Sequence, residues 1–322
     1  MEDITQQLRQ IFGDRLKENE PLAKHSTFHV GGPARWLVEV QSADEVSKAL
    51  QIANAAEVPH EVIGGGTNLL AADSGYEGLV FKIVMNQHRV EGDKVISEAG
   101  AFTAVVARDA VKAGLAGFTW GATLPGSIGG AVYGNAGCYG GEMKDIVESV
   151  KLLRAGVVIE VPVADLAMGY RTSALKFSND VVLEVTLKLH RGDATELKKE
   201  QDELMTKRQQ SQPLGVSCAG CIFNNHSFKD ETDIDKLLHA VPKVPEQFLE
   251  SKTISAGWLI EQVGMKGERI GDAEVSLDHG NFIVNIGHAT ADHIVQLISM
   301  IKMRVRDDLG IQLIDEVQYI GF

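Results

Sequence analysis

Apolar and polar positions along this chain repeat at two periods, and the switches between them mark its elements. Residues 36–40 (WLVEV) alternate as a half-buried strand. Ser42 followed by Glu45 is a capping-box signature, and Val46, Ala49, Leu50, Ala53 and Ala56 then recur at helical spacing. The same reading predicts a short helix over 4–12 closed by Gly13, then a polar connector to about residue 25. Val62-Ile63 is a short strand running into Gly64–Leu70, GGGTNLL. Strands follow at 79–84 and 94–97, and a helix capped by Thr103 carries Val105, Val106, Ala110 and Val111, with Gly114 past its end. Three more strands are predicted at 147–153, 157–161 and 181–189, before a charged helix over 195–210 that stops short of Pro213. Beyond it lie an amphipathic helix over 255–263 and a strand over 281–285. A helix from Thr290 has Ile294, Leu297, Ile298, Ile301 and Val305 on one face and closes at Gly310. A last strand over 311–320 carries Glu316.

This pattern reads as α+β, strand-rich over its first two thirds, with a boundary near 195–212 and no internal repeat. A chain of 322 residues is long enough for two or three domains, each with its own core. Apolar content of 44% and charged content of 23% belong to an ordinary globular protein. The net charge of −13 argues against a nucleic-acid or anionic-membrane binder. No apolar run reaches the length of a membrane span, the first residues lack a signal-peptide core, and three cysteines do not form a disulfide framework. A cytoplasmic protein is expected.

The chemistry concentrates in a few stretches. Residues 124–141, LPGSIGGAVYGNAGCYGG, are dense in glycine yet too apolar for a linker. Such runs serve where backbone takes positive φ or approaches a ligand closely. Pro125-Gly126 suits a turn, and Ser127-Ile128-Gly129-Gly130 is expected to present consecutive backbone N–H groups as an anion-binding nest. Gly64, Gly65, Gly66, Thr67, Asn68 and Leu69 match neither a dinucleotide fingerprint, lacking its third glycine, nor a P-loop, lacking Lys-Ser/Thr. A strand-end nest for phosphate oxygens and a plain tight turn both remain. Cys218-Ala219-Gly220-Cys221 fits a redox pair, half a zinc site or two buried small side chains. Arg171, in Tyr170-Arg171-Thr172-Ser173, is a surface residue or a carboxylate clamp. Glu316 reads by periodicity as a solvated edge position, and His288 and His293 as solvent-facing.

Taken together, the motifs resemble the UDP-N-acetylenolpyruvoylglucosamine reductase family along nearly the whole chain. The matching stretches are His25-Ser26-Thr27-Phe28, Gly31-Gly32-Pro33-Ala34, GGGTNLL, PGSIGGAVYGNAGCYGGE, GYRTS, QPLG with AGCIFNN, LIEQVGMKGERIGDAEVSLDHGNFIVN and GIQLIDEVQYIG. The spacing after Gln209 looks like the shorter form of the family. The resemblance implies a two-subdomain FAD-binding module of the vanillyl-alcohol-oxidase type, residues 1–85 and 86–208, followed by an α+β substrate domain over 209–322. It implies that Gly64–Leu70 and Pro125, Gly126, Ser127, Gly129 and Gly130 hold the FAD pyrophosphate and approach the flavin. Hydride would pass from NADPH by way of FAD to C3 of an enolpyruvyl ether on a UDP-sugar. Arg171 and Glu316 would stabilise the enolate-like charge, and Cys221 would protonate C2.

On the same mapping Asn225 contacts the enolpyruvyl group. Tyr170, Lys207, Arg208 and Glu274 belong to the substrate site, with Lys266 and Arg269 as further cations for the diphosphate. No metal, nucleic acid or membrane enters this reading, and a monomer is expected. Three positions depart from the family pattern: Cys221 stands for a serine, Phe223-Asn224-Asn225-His226 for Phe-Lys-Asn-Pro, and Glu274 for a glutamine. Two other readings are a same-fold FAD oxidase of a small hydroxy acid or sugar alcohol, and a non-catalytic nucleotide-binding protein.

Overall fold

The computed structural model describes residues 4–213, 215–228, 231–241 and 243–322; Leu214, inside the QPLG motif, lies outside them. The chain divides into two compact units. One takes the chain up to Glu20, Ala34–Gly65 and Glu77–Gln210; the other takes Pro21–Pro33, Gly66–Tyr76 and Ser211–Phe322.

The first unit carries two sheets. One runs Leu16–Pro21, Pro33–Val40, Tyr76–Ile83, His60–Ile63, its last two strands parallel with His60 opposite Leu79. The other is antiparallel, in the order Val157–Pro162, Val147–Arg154, Val181–Lys188, Lys94–Glu98, His88–Glu91. Trp36, Phe81, Phe118, Trp120, Val150 and Val185 share one core there. Each such side chain contributes about 1.5–3 kcal/mol by leaving water. Two edge strands, Leu16–Pro21 and His88–Glu91, lie where the hydrophobic pattern showed none. Only Leu16 among their residues is buried, so neither carries an alternating signal.

Helix starts follow the predicted chemistry with two corrections. Ser42 accepts the Glu45 N–H at 3.2 Å, but the Glu45 carboxylate takes the N–H of Gln41 at 2.8 Å and pairs with Arg15. The helix Thr103–Lys112 is capped by Phe102 without a side-chain bond; the Thr103 hydroxyl instead donates to the Gly126 carbonyl at 3.3 Å.

The second unit holds an antiparallel sheet, Arg269–Ile270, Ala273–Val275, Ile283–Asn285, and the long helix Ala291–Leu309. Phe28, Leu70, Ile222, Phe223, Leu259, Ile283, Ile294 and Leu297 pack into its core. Thr290 caps the helix, Gly310 ends it in the left-handed conformation, and His293 completes the cap by accepting the Thr290 N–H at 3.2 Å. His293 is thus a structural cap rather than a solvent-facing residue. The final strand is shorter than its pattern suggested: Gln318–Ile320 pairs in parallel with Leu69–Ala71, and Glu316 lies just before it. Among the described residues no helix is long and apolar enough to cross a membrane.

Candidate active site

In the first unit the two glycine-rich runs lie against each other. A Cβ on Gly64 would sit 2.3 Å from Ser127 Oγ, and one on Gly65 would sit 3.0 Å from Gly126 Cα. Any side chain there would separate the two runs. Gly126 turns at φ +99°, which disfavours an L side chain. The expected nest of consecutive free N–H groups is not formed. Ile128 donates to Ala101 O at 2.9 Å, Gly129 to Ala99 O at 2.8 Å, and Gly130 to Ser127 Oγ at 3.4 Å. Folding the run onto the Ala99–Ala101 strand end uses those donors, leaving close backbone approach as its role.

Residues Gly66 to Leu69 belong to the second unit and are fastened by the His25–Thr27 segment. Gly66 lies at φ +65° with room for no Cβ, since His25 O would be 1.9 Å away. Thr27 donates its N–H to Gly66 O at 3.1 Å, and Ser26 Oγ donates to Leu69 O at 3.0 Å. Asn68 Nδ2 donates to the Glu316 carbonyl at 3.0 Å, while its Oδ1 is buried without a partner. An orphaned buried acceptor is costly unless a ligand meets it.

Cys221 and Glu316, far apart in sequence, are neighbours in this unit. Ile222 O accepts the Glu316 N–H at 2.8 Å, and Cys221 and Phe223 form antiparallel bridges with Phe282 and Asp315 respectively. The Asn281 side chain completes the patch as a backbone mimic. Its Oδ1 accepts the Phe223 N–H at 3.0 Å and its Nδ2 donates to Phe223 O at 2.8 Å. Asn281 is only 3% exposed, and nothing in the local pattern marked it. Thr27 Oγ1 holds Cys218 O at 2.6 Å. None of the three cysteines is in a disulfide, and the described residues contain no metal-ligating cluster of three His, Cys, Asp or Glu. Asn225 uses its Oδ1 to take the Ala256 N–H at 3.1 Å.

Arg171 belongs to the first unit. Its backbone is left-handed at φ +55°, an uncommon conformation for a side chain of this size. Its Nη2 donates to Gly137 O at 2.8 Å, and its guanidinium carbon lies 5.3 Å from the centre of the exposed Tyr170 ring. Arg208 and Arg171 both act electrostatically on the Cys138 thiol, whose pKa burial nonetheless pushes up. Lys207 is exposed and Arg208 half-buried at the end of the Ala194–Ser211 helix. Among the remaining candidates, Glu274 is buried and ion-paired with Arg269, and Lys266 lies 3.0 Å from Glu261. Lys266 and Arg269 are therefore already matched by carboxylates.

Two family profiles match the chain: an FAD binding domain over residues 34–160, and a UDP-N-acetylenolpyruvoylglucosamine reductase C-terminal domain over 212–320. The expected order of a flavin-binding module and a substrate domain is thereby borne out. A UDP-N-acetylenolpyruvoylglucosamine reductase of Clostridium kluyveri is 34% identical over 99% of this chain and 98% of its own length. One of Clostridium botulinum strain Hall is 36% identical over 94% of this chain and 92% of its own. The crystal structure of a UDP-N-acetylenolpyruvylglucosamine reductase from Thermus caldophilus superposes with a TM-score of 0.76 at 32% identity, covering 95% of this chain and 100% of that one.

Proposed function

The chain belongs to the UDP-N-acetylenolpyruvoylglucosamine reductase family, and on that premise we propose that it reduces the enolpyruvyl group of UDP-N-acetylglucosamine enolpyruvate to UDP-N-acetylmuramate, a step of peptidoglycan precursor synthesis. NADPH is the electron source. Bound FAD supplies the two-electron relay between NADPH and the substrate. The residues present suit that cofactor: Gly64 and Gly65 abut Gly126 and Ser127 with no side chain intervening. Beside them in sequence, the orphaned Asn68 Oδ1 offers an acceptor for a ribityl hydroxyl or a ring N–H.

The protein's own groups then divide the work. Hydride addition at C3 of the enolpyruvyl ether drives negative charge onto the adjoining carboxylate. Arg171 meets that charge where it develops, helped by Glu316 in a protonated role that donates a hydrogen bond to it. Cys221 delivers a proton to C2 from its thiol, the more acidic counterpart of a serine hydroxyl. Asn225 contacts the enolpyruvyl group, and Tyr170, Lys207, Arg208 and Glu274 contact the rest of the sugar nucleotide. Residues 1–85 and 86–208 serve the cofactor, and 209–322 the substrate. The enzyme acts in the cytoplasm as a monomer.

The observation that carries this reading is the Glu316 N–H on Ile222 O, which ties the proposed carboxyl group to the residue after the proposed proton donor. The test is to follow NADPH oxidation by the yellow holoprotein with and without the enolpyruvyl sugar nucleotide. Turnover that requires the sugar nucleotide supports the assignment. Steady oxygen consumption driven by a small alcohol, or a protein that takes up no FAD, overturns it.

A further inference from the structure

We propose that Asn135 is the positioning residue for Arg171, an assignment that rests on the role given to Arg171 above. Asn135 is fully buried and left-handed at φ +43°. Its side chain is committed on both sides. Nδ2 donates to Glu142 Oε2 at 2.7 Å and to Gly169 O at 2.8 Å, and Oδ1 accepts the Lys144 N–H at 2.9 Å. Glu142 is itself fixed by Lys144 and by a reciprocal cap with Asp145.

Gly169 is the base of the loop that presents Arg171. Gly169 and Thr172 exchange backbone hydrogen bonds at 3.0 and 3.2 Å, pinching Tyr170 and Arg171 into the tip between them. Three tethers join this tip to the segment from Tyr133 to Glu142. They are Asn135 Nδ2 to Gly169 O, Arg171 Nη2 to Gly137 O at 2.8 Å, and Ser173 Oγ to Tyr133 O at 2.7 Å. Asn135 anchors the base of the tip, so the direction in which the guanidinium leaves the loop depends on it. An aspartate of the same shape has no N–H to give and would face Glu142 as a like charge.

The test is a mutant cycle between Asn135→Gly and Arg171→Met. Glycine tolerates the left-handed backbone, so N135G removes the side chain without adding backbone strain. Misplacement of the guanidinium by about 1 Å should lower kcat for the sugar nucleotide by roughly 10- to 100-fold. KM should rise less, calorimetric affinity for the sugar nucleotide should change little, and reduction of the flavin by NADPH should be unaffected. In the R171M background N135G should cause no further loss. Equal factors in both backgrounds, or normal turnover by N135G, overturn the inference while leaving the role of Arg171 standing. If R171M alone turns over normally, the reading of Arg171 fails, and this inference fails with it. Asn135→Asp keeps the bond to Lys144 and loses both donated bonds. It is run alongside, with the same kcat loss expected, so the cycle does not depend on one variant folding.

Discussion

Glu316 donates its backbone N–H to the carbonyl of Ile222 at 2.8 Å, while the Ile222 N–H goes to Asn281 O at 2.9 Å. One residue is thus held from both sides, and its neighbour Cys221 inherits that placement. If Cys221 is the proton donor, Cys221→Ala should leave NADPH-driven flavin reduction intact and slow turnover of the sugar nucleotide by about 10²- to 10⁴-fold. Cys221→Ser should recover much of it. Stopped-flow separation of the two half-reactions is the check, and unimpaired turnover by the alanine variant would remove Cys221 from the mechanism.

The pH profile should distinguish thiol from hydroxyl. A thiol, ordinarily of pKa about 8.5, loses the proton it must donate as pH rises, whereas a serine hydroxyl does not titrate in that range. Native activity should therefore decline on the alkaline side at lower pH than in C221S. Superimposable profiles of kcat would show that this ionisation does not limit the rate.

Removing the backbone mimic should disturb stability and site together. Asn281→Ala leaves the buried Phe223 N–H and carbonyl without their partners, at a cost of about 2–3 kcal/mol or more. Asn281→Asp keeps the acceptor and loses the donor, so its denaturation midpoint should fall between wild type and alanine.

A second stability effect depends on pH. The hydrogen bond from Arg15 holds the Glu45 carboxyl below its ordinary value of 4.5, and Arg15 is raised in turn. Because the folded pKa is depressed, the stabilisation is fully present above the unfolded value and disappears as pH falls through the folded one. Arg15→Met should lower the melting temperature at pH 7, and the gap to wild type should close on acidification below about pH 4. A gap independent of pH would show that the guanidinium acts by packing alone.

The Ala291–Leu309 helix receives support from a distant carboxylate: Asp73 accepts the N–H groups of Ala291 at 2.8 Å and Asp292 at 2.9 Å. Loss of this cap in Asp73→Ala should cost about 1–2 kcal/mol. Asp73→Asn, with one acceptor retained, should cost less in the same denaturant titration.

These groups show where reading the chain reaches its limit. Helix starts and stops were legible at Ser42, Thr290 and Gly310, because each acts within a few residues of itself. The glycine runs were legible because no other composition lets backbone pass so close to backbone. Thr103 misled, since its hydroxyl turned to Gly126 instead of its own helix. The roles of Asn135, Asn281 and Asp73 toward Gly169, Phe223 and Ala291 carried no signal, because those partners lie 34, 58 and 218 residues away. The Leu16–Pro21 strand escaped because an edge strand buries too little to alternate.

By itself, then, the order of residues determined what is local: periodicity, caps, glycine-only turns, and the set of chemical groups available at Arg171, Cys221 and Glu316. Tertiary structure decided which of those groups meet. The bond tying Ile222, beside Cys221, to Glu316, the donation of the Ile128 and Gly129 N–H groups to Ala101 and Ala99, and the bond from Asn135 to Gly169 at the base of the Arg171 loop all join segments distant in the sequence. A buried polar group must find a partner, but which one it finds is set by the packing that brings distant segments together.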